Sequence, residues 1–357
     1  MSQRITYLIF ITLLLLNIPA ISKSAQDQNY FNKGRRDYSA GKYKSALTCF
    51  LRAAQAGHAE AASHLGYMYS AGIGIAKNDS VAFGWYQKAA TAGEPTSMWN
   101  LGKWYLNGRC VTQSVTEAQR WFRKGVAVGD AWAMNSLGWM HHKGLGLEKN
   151  LREAVRLYGK ASELGYATAM VNLGWMYNNG HGVKQNHSTA LSWFRKAARR
   201  GEAKAFSNIG NSYRDGLGVA KDEHRALYWY RKGAEAGNAR SMGCLGYMYE
   251  KGFGVAQDDS ISINWYVKSA EAGDVPAMCH LGIAYRDGVG VPKDYHKARY
   301  WLGKSAGTGD PMALFALGTI FHNGWGVEQN TAKAMQLYQK AASLGNKEAG
   351  ELWLMLK

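Results

Sequence analysis

The sequence predicts an all-α protein made of stacked helix-loop-helix repeats, and three observations carry that expectation. A leucine-glycine step recurs every 36 residues, at Leu65-Gly66, Leu101-Gly102, Leu137-Gly138, Leu173-Gly174, Ile209-Gly210, Leu245-Gly246, Leu281-Gly282 and Leu317-Gly318. In-phase self-similarity of this period is the signature of a repeat array. Apolar residues within each copy fall three and four apart, the spacing of one helix face. Strand-like alternation appears nowhere in the chain.

The elements of one unit follow in order. In the fourth copy, Ala169, Met170, Leu173, Gly174 and Tyr177 form the apolar stripe of a first helix. Gly180-His181-Gly182-Val183 breaks it, two glycines supplying the positive φ of a tight turn. Asn186 is the expected N-cap of the second helix, a place also held by Asn150, Asp222, Asp258, Asp294 and Asn330. Ala190, Trp193, Phe194, Ala197 and Ala198 give that helix its buried face, and Gly201 ends it. In the second copy Gly108-Arg109-Cys110-Val111 has cysteine for the second loop glycine. Either Cys110 bears a left-handed backbone at a cost of about 1 kcal/mol, or the loop takes another shape; the second loop is expected to deviate from its siblings.

Columns of like residues run down the repeats. Trp85, Trp121, Trp193, Trp229, Trp265 and Trp301 share one second-helix position, completed by Leu157 and Leu337, and Tyr69, Tyr105, Tyr177, Tyr213, Tyr249 and Tyr285 one first-helix position, joined by His141 and Phe321. Both columns are expected in the core between repeats. Lys88, Lys124, Lys160, Lys196, Lys232, Lys268, Lys304 and Lys340 also share a position. They read as cations near helix ends, favoured by the helix dipole, ahead of a dedicated anion-binding ladder.

Residues 1–22 differ from the rest. One arginine precedes a mostly apolar run from Ile5 to Ile18, and Ala20-Ile21-Ser22 offers the small residues read by a signal peptidase. An export signal cut after Ser22 is expected, with a soluble periplasmic or secreted product and no later membrane span. The chain carries 43 Lys and Arg against 26 Asp and Glu, a formal charge of +17, which falls to +16 once Arg4 is removed. In an exported setting that balance points to anionic partners, acidic proteins among them, rather than to nucleic acid. Cys49, Cys110, Cys244 and Cys279 have no metal-ligand spacing. Cys244 and Cys279 stand near equivalent places in neighbouring units, so either two buried thiols or a disulfide fits, the thiols being the simpler reading.

The run Ala169-Met170-Val171-Asn172-Leu173-Gly174-Trp175-Met176-Tyr177, with Gly180-His181-Gly182-Val183 and Ala190-Leu191-Ser192-Trp193-Phe194-Arg195-Lys196-Ala197-Ala198, resembles the Sel1-like repeat, a relative of the tetratricopeptide repeat. Tyr38-Ser39-Ala40-Gly41-Lys42-Tyr43-Lys44-Ser45-Ala46-Leu47 resembles a tetratricopeptide unit with a shorter loop. The expected organisation is a signal at 1–22, a tetratricopeptide-like cap at 23–57, eight repeats at 58–345 and a capping helix at 346–357. The resemblance implies an α/α solenoid with a right-handed superhelix, acting as a non-catalytic adaptor without cofactor or metal in a bacterial envelope or outside the cell, in host interaction or envelope signalling.

In tetratricopeptide-like arrays the first helices line the concave face, so function is sought at their variable positions. Two before the recurring leucine stand Trp99 and Asn135; two after it, Trp139, Trp175, Asn211 and Tyr247; five after it, His142, Asn178 and Arg214. Aromatic rings with amide and guanidinium neighbours suit a peptide-binding groove, the competing reading being packing between first helices.

Two other functional classes compete with the adaptor reading. An envelope glycan hydrolase needs paired carboxylates, but Asp215 and Asp287 lie two units apart and Glu148 and Glu153 elsewhere; a glycan-binding protein belongs to the same alternative. A lumenal adaptor of a eukaryotic secretory pathway would use Asn78-Asp79-Ser80 and Asn186-His187-Ser188 as glycosylation acceptors, and the source organism discriminates it.

Overall fold

The computed structural model describes residues 25–357, and the expected signal at 1–22 lies outside the described residues. Among those residues the secondary structure is nineteen helices and no strand. The chain divides into two compact units at Ala169 and Met170.

The first unit begins with α1 (residues 25–39) and continues with α2 (Tyr43–Gln55), α3 (Ala59–Ala71), α4 (Asp79–Thr91), α5 (Pro95–Asn107), α6 (Val115–Ala127), α7 (Ala131–Lys143) and α8 (Leu151–Glu163). The second carries α9 (Ala167–Asn179), whose first residues precede the boundary, then α10 (His187–Arg199), α11 (Ala203–Asp215), α12 (Glu223–Glu235), α13 (Ala239–Lys251) and α14 (Asp259–Glu271). It ends with α15 (Val275–Asp287), α16 (Tyr295–Gly307), α17 (Pro311–Asn323), α18 (Thr331–Ser343) and the short α19 (Lys347–Met355). Three residues, 40–42, join α1 to α2, whereas seven, 72–78, join α3 to α4.

Local chemistry sets these boundaries. Asn150, Asn186, Asp222, Asp258, Asp294 and Asn330 each accept the backbone N–H three residues on, as does Ser114. First helices end at left-handed glycines such as Gly144, Gly216 and Gly252. The second-copy loop does not deviate as expected. Cys110 adopts φ 63°, beside 64° to 73° for Gly74, Gly146, Gly182, Gly218, Gly254, Gly290 and Gly326, so the backbone is kept and the cysteine bears the left-handed strain.

Each helix packs on the next in sequence within its unit, and first helices also meet one another: α5 meets α7, and α11, α13, α15 and α17 form a run. Successive second helices approach less closely, which makes the first helices the inner layer of each unit.

The aromatic columns need correcting. Trp121 and Leu157 are buried, but Trp85, Trp193, Trp229, Trp265, Trp301 and Leu337 are half-buried, and of the tyrosine column Tyr213 alone is buried. The fully enclosed column lies one residue further on, at Tyr86, Phe122, Tyr158, Phe194, Tyr230, Tyr266, Leu302 and Tyr338. Each of these lies over the glycine of its own leucine-glycine step. The tryptophans form a rim on which the lysine column rests: Lys88, Lys124, Lys196, Lys268 and Lys304 place Nζ 4.6, 4.3, 4.0, 4.7 and 5.1 Å from the ring one turn earlier. The lysines lie in the last turns of their helices, as the dipole reading expects, and gain a cation–π contact there.

Candidate functional site

In the first unit, Trp99 and Asn135 are half-buried, as is His142, while Trp139 stays 37% exposed on α7. Trp99 belongs as much to packing as to a groove: its ring lies 5.3 Å from that of Trp132, and its Nε1 donates to Ser136 Oγ at 3.0 Å. Lys103 Nζ stands 5.1 Å from the same ring.

In the second unit Trp175 is 38% exposed and meets His181 edge to face at 4.9 Å. The two amides are engaged within the fold. Asn178 Oδ1 lies 2.9 Å from His187 Nδ1, and Asn211 Oδ1 accepts the Tyr230 hydroxyl at 2.7 Å. Asn211 thus ties α11 to α12, a structural duty that its repeat position does not announce.

Arg214 and Tyr247 are brought together. The guanidinium carbon stands 5.9 Å from the Tyr247 ring, while Nε and Nη2 donate to the two carboxylate oxygens of Asp215 at 2.7 and 2.8 Å. That bidentate pair holds the Arg214 guanidinium above its ordinary pKa and fixes the orientation of its plane. Both side chains line a cavity of about 450 Å³ on the inner layer, bounded by α11, α13 and α15. Asp215, Lys221, Glu223, Arg240, Asp274 and His280 add three carboxylates, two cations and an imidazole to its wall.

Behind Tyr247 lies a carboxylate network that repeat positions alone do not reveal. Glu250 accepts the Tyr266 hydroxyl at 2.7 Å, lies 2.7 Å from Lys251 Nζ, and lies 3.4 Å from His280 Nδ1. His280, then Lys251 and Tyr266, hold the Glu250 carboxyl well down, at about 2. Burial, then the hydrogen bond and charge of Glu250, push the Tyr266 phenol up. The His280 ring stacks on Tyr266 at 5.0 Å and 6°. His280 stands one residue before the recurring leucine, a column outside the positions chosen for the groove; that column also holds His64, Ser136 and Cys244, and its variability is the signal that could have found it.

Three of the four carboxylates that a hydrolase would draw on are tied elsewhere. Asp215 is paired with Arg214, Asp287 in the same bidentate way with Arg286, and Glu153 with Arg156 at 2.6 Å. All four cysteines are free; burial pushes the Cys279 thiol up to about 12 and raises that of Cys244. Among the described residues, no three His, Cys, Asp or Glu side chains cluster as metal ligands, and no helix is long and apolar enough to cross a membrane.

The Sel1 repeat family matches nine stretches, residues 33–58, 59–94, 95–130, 133–166, 167–202, 205–238, 242–274, 275–310 and 311–346. The first falls on the segment whose sequence resembles a tetratricopeptide unit. Among solved structures, c5321 of uropathogenic Escherichia coli, described as a protective antigen displaying an SLR fold, is 32% identical, with 93% of this chain and 72% of that one covered and a TM-score of 0.64. A Sel1 repeat protein from Oxalobacter formigenes is 27% identical, with 87% and 90% covered and a TM-score of 0.58. Among curated proteins none matches. The repeat motif, the all-helical solenoid and the extent of the match agree: the chain belongs to the Sel1 repeat family.

Proposed function

We propose that this protein is a non-catalytic adaptor that holds an acidic peptide segment of a partner protein against the inner, first-helix layer of its repeats. The observation that carries the reading is the 450 Å³ cavity between α11, α13 and α15, where the Tyr247 ring, the Arg214 guanidinium and Arg240 face one space, each arginine beside a carboxylate of the same wall, Asp215 at 2.7 Å and Asp274 at 3.5 Å. An aromatic ring supplies contact area at low entropic cost, and an oriented guanidinium supplies direction. Trp139 and Trp175, which keep more than a third of their surface exposed, are further recognition points. The formal charge, +17 for the full chain and +16 without residues 1–22, steers an acidic partner toward it.

The setting we infer is a bacterial envelope or the exterior. Its support is the charged, apolar and small-residue order of residues 1–22, together with the likeness to c5321, which is described as a protective antigen. A role in host interaction or envelope signalling follows from that setting.

The test is affinity capture by protein lacking residues 1–22 from envelope and host extracts, run beside Tyr247→Ala, Trp139→Ala and Trp175→Ala. We expect a partner that is retained by the parent protein and lost by Tyr247→Ala, with unchanged melting. Equal retention by every variant would remove the inner layer as the binding surface. Turnover of a glycan substrate would replace the adaptor reading with the hydrolase one.

A further inference from the structure

A second cavity, of about 620 Å³, opens on the second-helix layer and shares no residue with the groove cavity. Its wall is one stripe of α10, where Ser188, Leu191, Ser192, Arg195 and Arg199 recur at three- and four-residue spacing. Phe206 and Trp229 form the facing apolar wall, their rings 6.1 Å apart and 24° from parallel. The volume lies within the usual size of small-ligand sites, and a mainly apolar lining with a few placed polar groups is their usual character.

Two side chains of this stripe differ from their counterparts in several sister units. Ser192 stands where two of the four units downstream have a phenol ring, Tyr228 and Tyr300, the other two having Asn264 and Gln336. Arg199 stands where Glu163, Glu235 and Glu271 stand in other units, a reversal of charge at one position. No carboxylate lines the cleft, and Arg199 makes no ion pair with the described residues. Arg195 is oriented by a hydrogen bond from its Nη2 to the hydroxyl of Tyr213, at 2.8 Å. Like charges one helical turn apart repel, and an anion between them relieves that repulsion.

We propose that this cleft binds a small carboxylate with an apolar body, of the medium-chain fatty-acid type. The chain lies along Leu191, Phe206 and Trp229, and the carboxylate meets Arg195 and Arg199. Charge complementarity selects an anion, and the planar guanidinium geometry suits a carboxylate in particular.

The test is calorimetric titration of the purified protein with decanoate below its micelle concentration, beside decanol as the neutral probe. Two variants carry side chains already present at these positions in sister units, Arg199→Glu and Ser192→Tyr, so the fold is kept; a thermal melt checks this. Saturable decanoate binding is expected, weakened roughly tenfold or more by either variant and unchanged by Tyr247→Ala in the groove. Decanol, bound more weakly, responds to Ser192→Tyr but not to Arg199→Glu. Unsaturable decanoate uptake, or equal binding by parent and both variants, overturns the proposal. Retention on anionic vesicles without binding of free decanoate overturns it as well.

Discussion

The ring of Tyr266 lies directly on Gly246, so closely that a Cβ at Gly246 would stand 2.7 Å from the ring carbon Cδ1. The same seat recurs as Gly66 beneath Tyr86, Gly174 beneath Phe194 and Gly318 beneath Tyr338. The recurring glycine therefore records helix-helix contact: it lets the enclosed aromatic of the second helix reach the backbone of the first. Gly246→Ala should destabilise the protein by about 1–3 kcal/mol through overpacking. Gly303 lies inside α16 with nothing near its absent side chain, so Gly303→Ala should stabilise by about 0.5–1 kcal/mol. Urea unfolding of the pair checks both signs, and equal effects would show that the contact does not select glycine.

What is legible in the sequence is what acts locally. Asn186 and Asp222 cap because their side-chain oxygens reach a backbone N–H three residues away, and the turn glycines work through their own φ. Adjacent aromatics defeat the same reading. Trp229 and Tyr230 are both large and lie about 100° apart on the helix, and only Gly210 across the interface decides which is enclosed. Of the groove positions, Arg214 and Tyr247 share a cavity, whereas Asn178 and Asn211 point their amide oxygens at His187 and Tyr230. Those partners lie nine and nineteen residues away, and no repeat pattern encodes them.

Phe194 and Trp193 separate the enclosed column from its rim. Phe194 is 3% exposed, while Trp193 is half-buried with Lys196 over its ring. Phe194→Ala should cost about 3–5 kcal/mol, and Trp193→Ala distinctly less, although the tryptophan is the larger residue. Thermal melts of the two variants decide it, and the reverse order would restore the tryptophan column as the core.

Cys110 is the one non-glycine residue with positive φ among those described, and its Sγ lies 3.3 Å from Ser80 Oγ. Cys110→Gly removes the left-handed penalty and should stabilise the protein by about 1 kcal/mol, less whatever the Ser80 contact contributes. Cys110→Ala keeps the penalty and loses the contact, so it should not stabilise. A gain from alanine equal to that from glycine would place the effect in the thiol and not in the backbone.

Glu250 gives the fold a defined response to acid. Its carboxyl lies at about 2 in the folded protein against an ordinary 4.5, because His280, Lys251 and Tyr266 favour the ionised form. A depressed carboxyl binds its proton more readily once the chain unfolds, so its stabilisation is present above about pH 5 and drains as pH falls from 4.5 toward 2. The network joins Glu250 of α13 to Tyr266 of α14 and His280 of α15, so its loss loosens the wall behind Tyr247. Parent protein and Glu250→Gln should show a steady gap in urea midpoint between about pH 7 and about pH 5.5, and that gap should narrow below about pH 4.5. A gap that holds its size down to about pH 2 would mean that the folded protein does not favour the ionised carboxylate. His280→Ala should shrink the gap and let its narrowing finish at a higher pH, because the first of the three groups that lower the carboxyl is then gone.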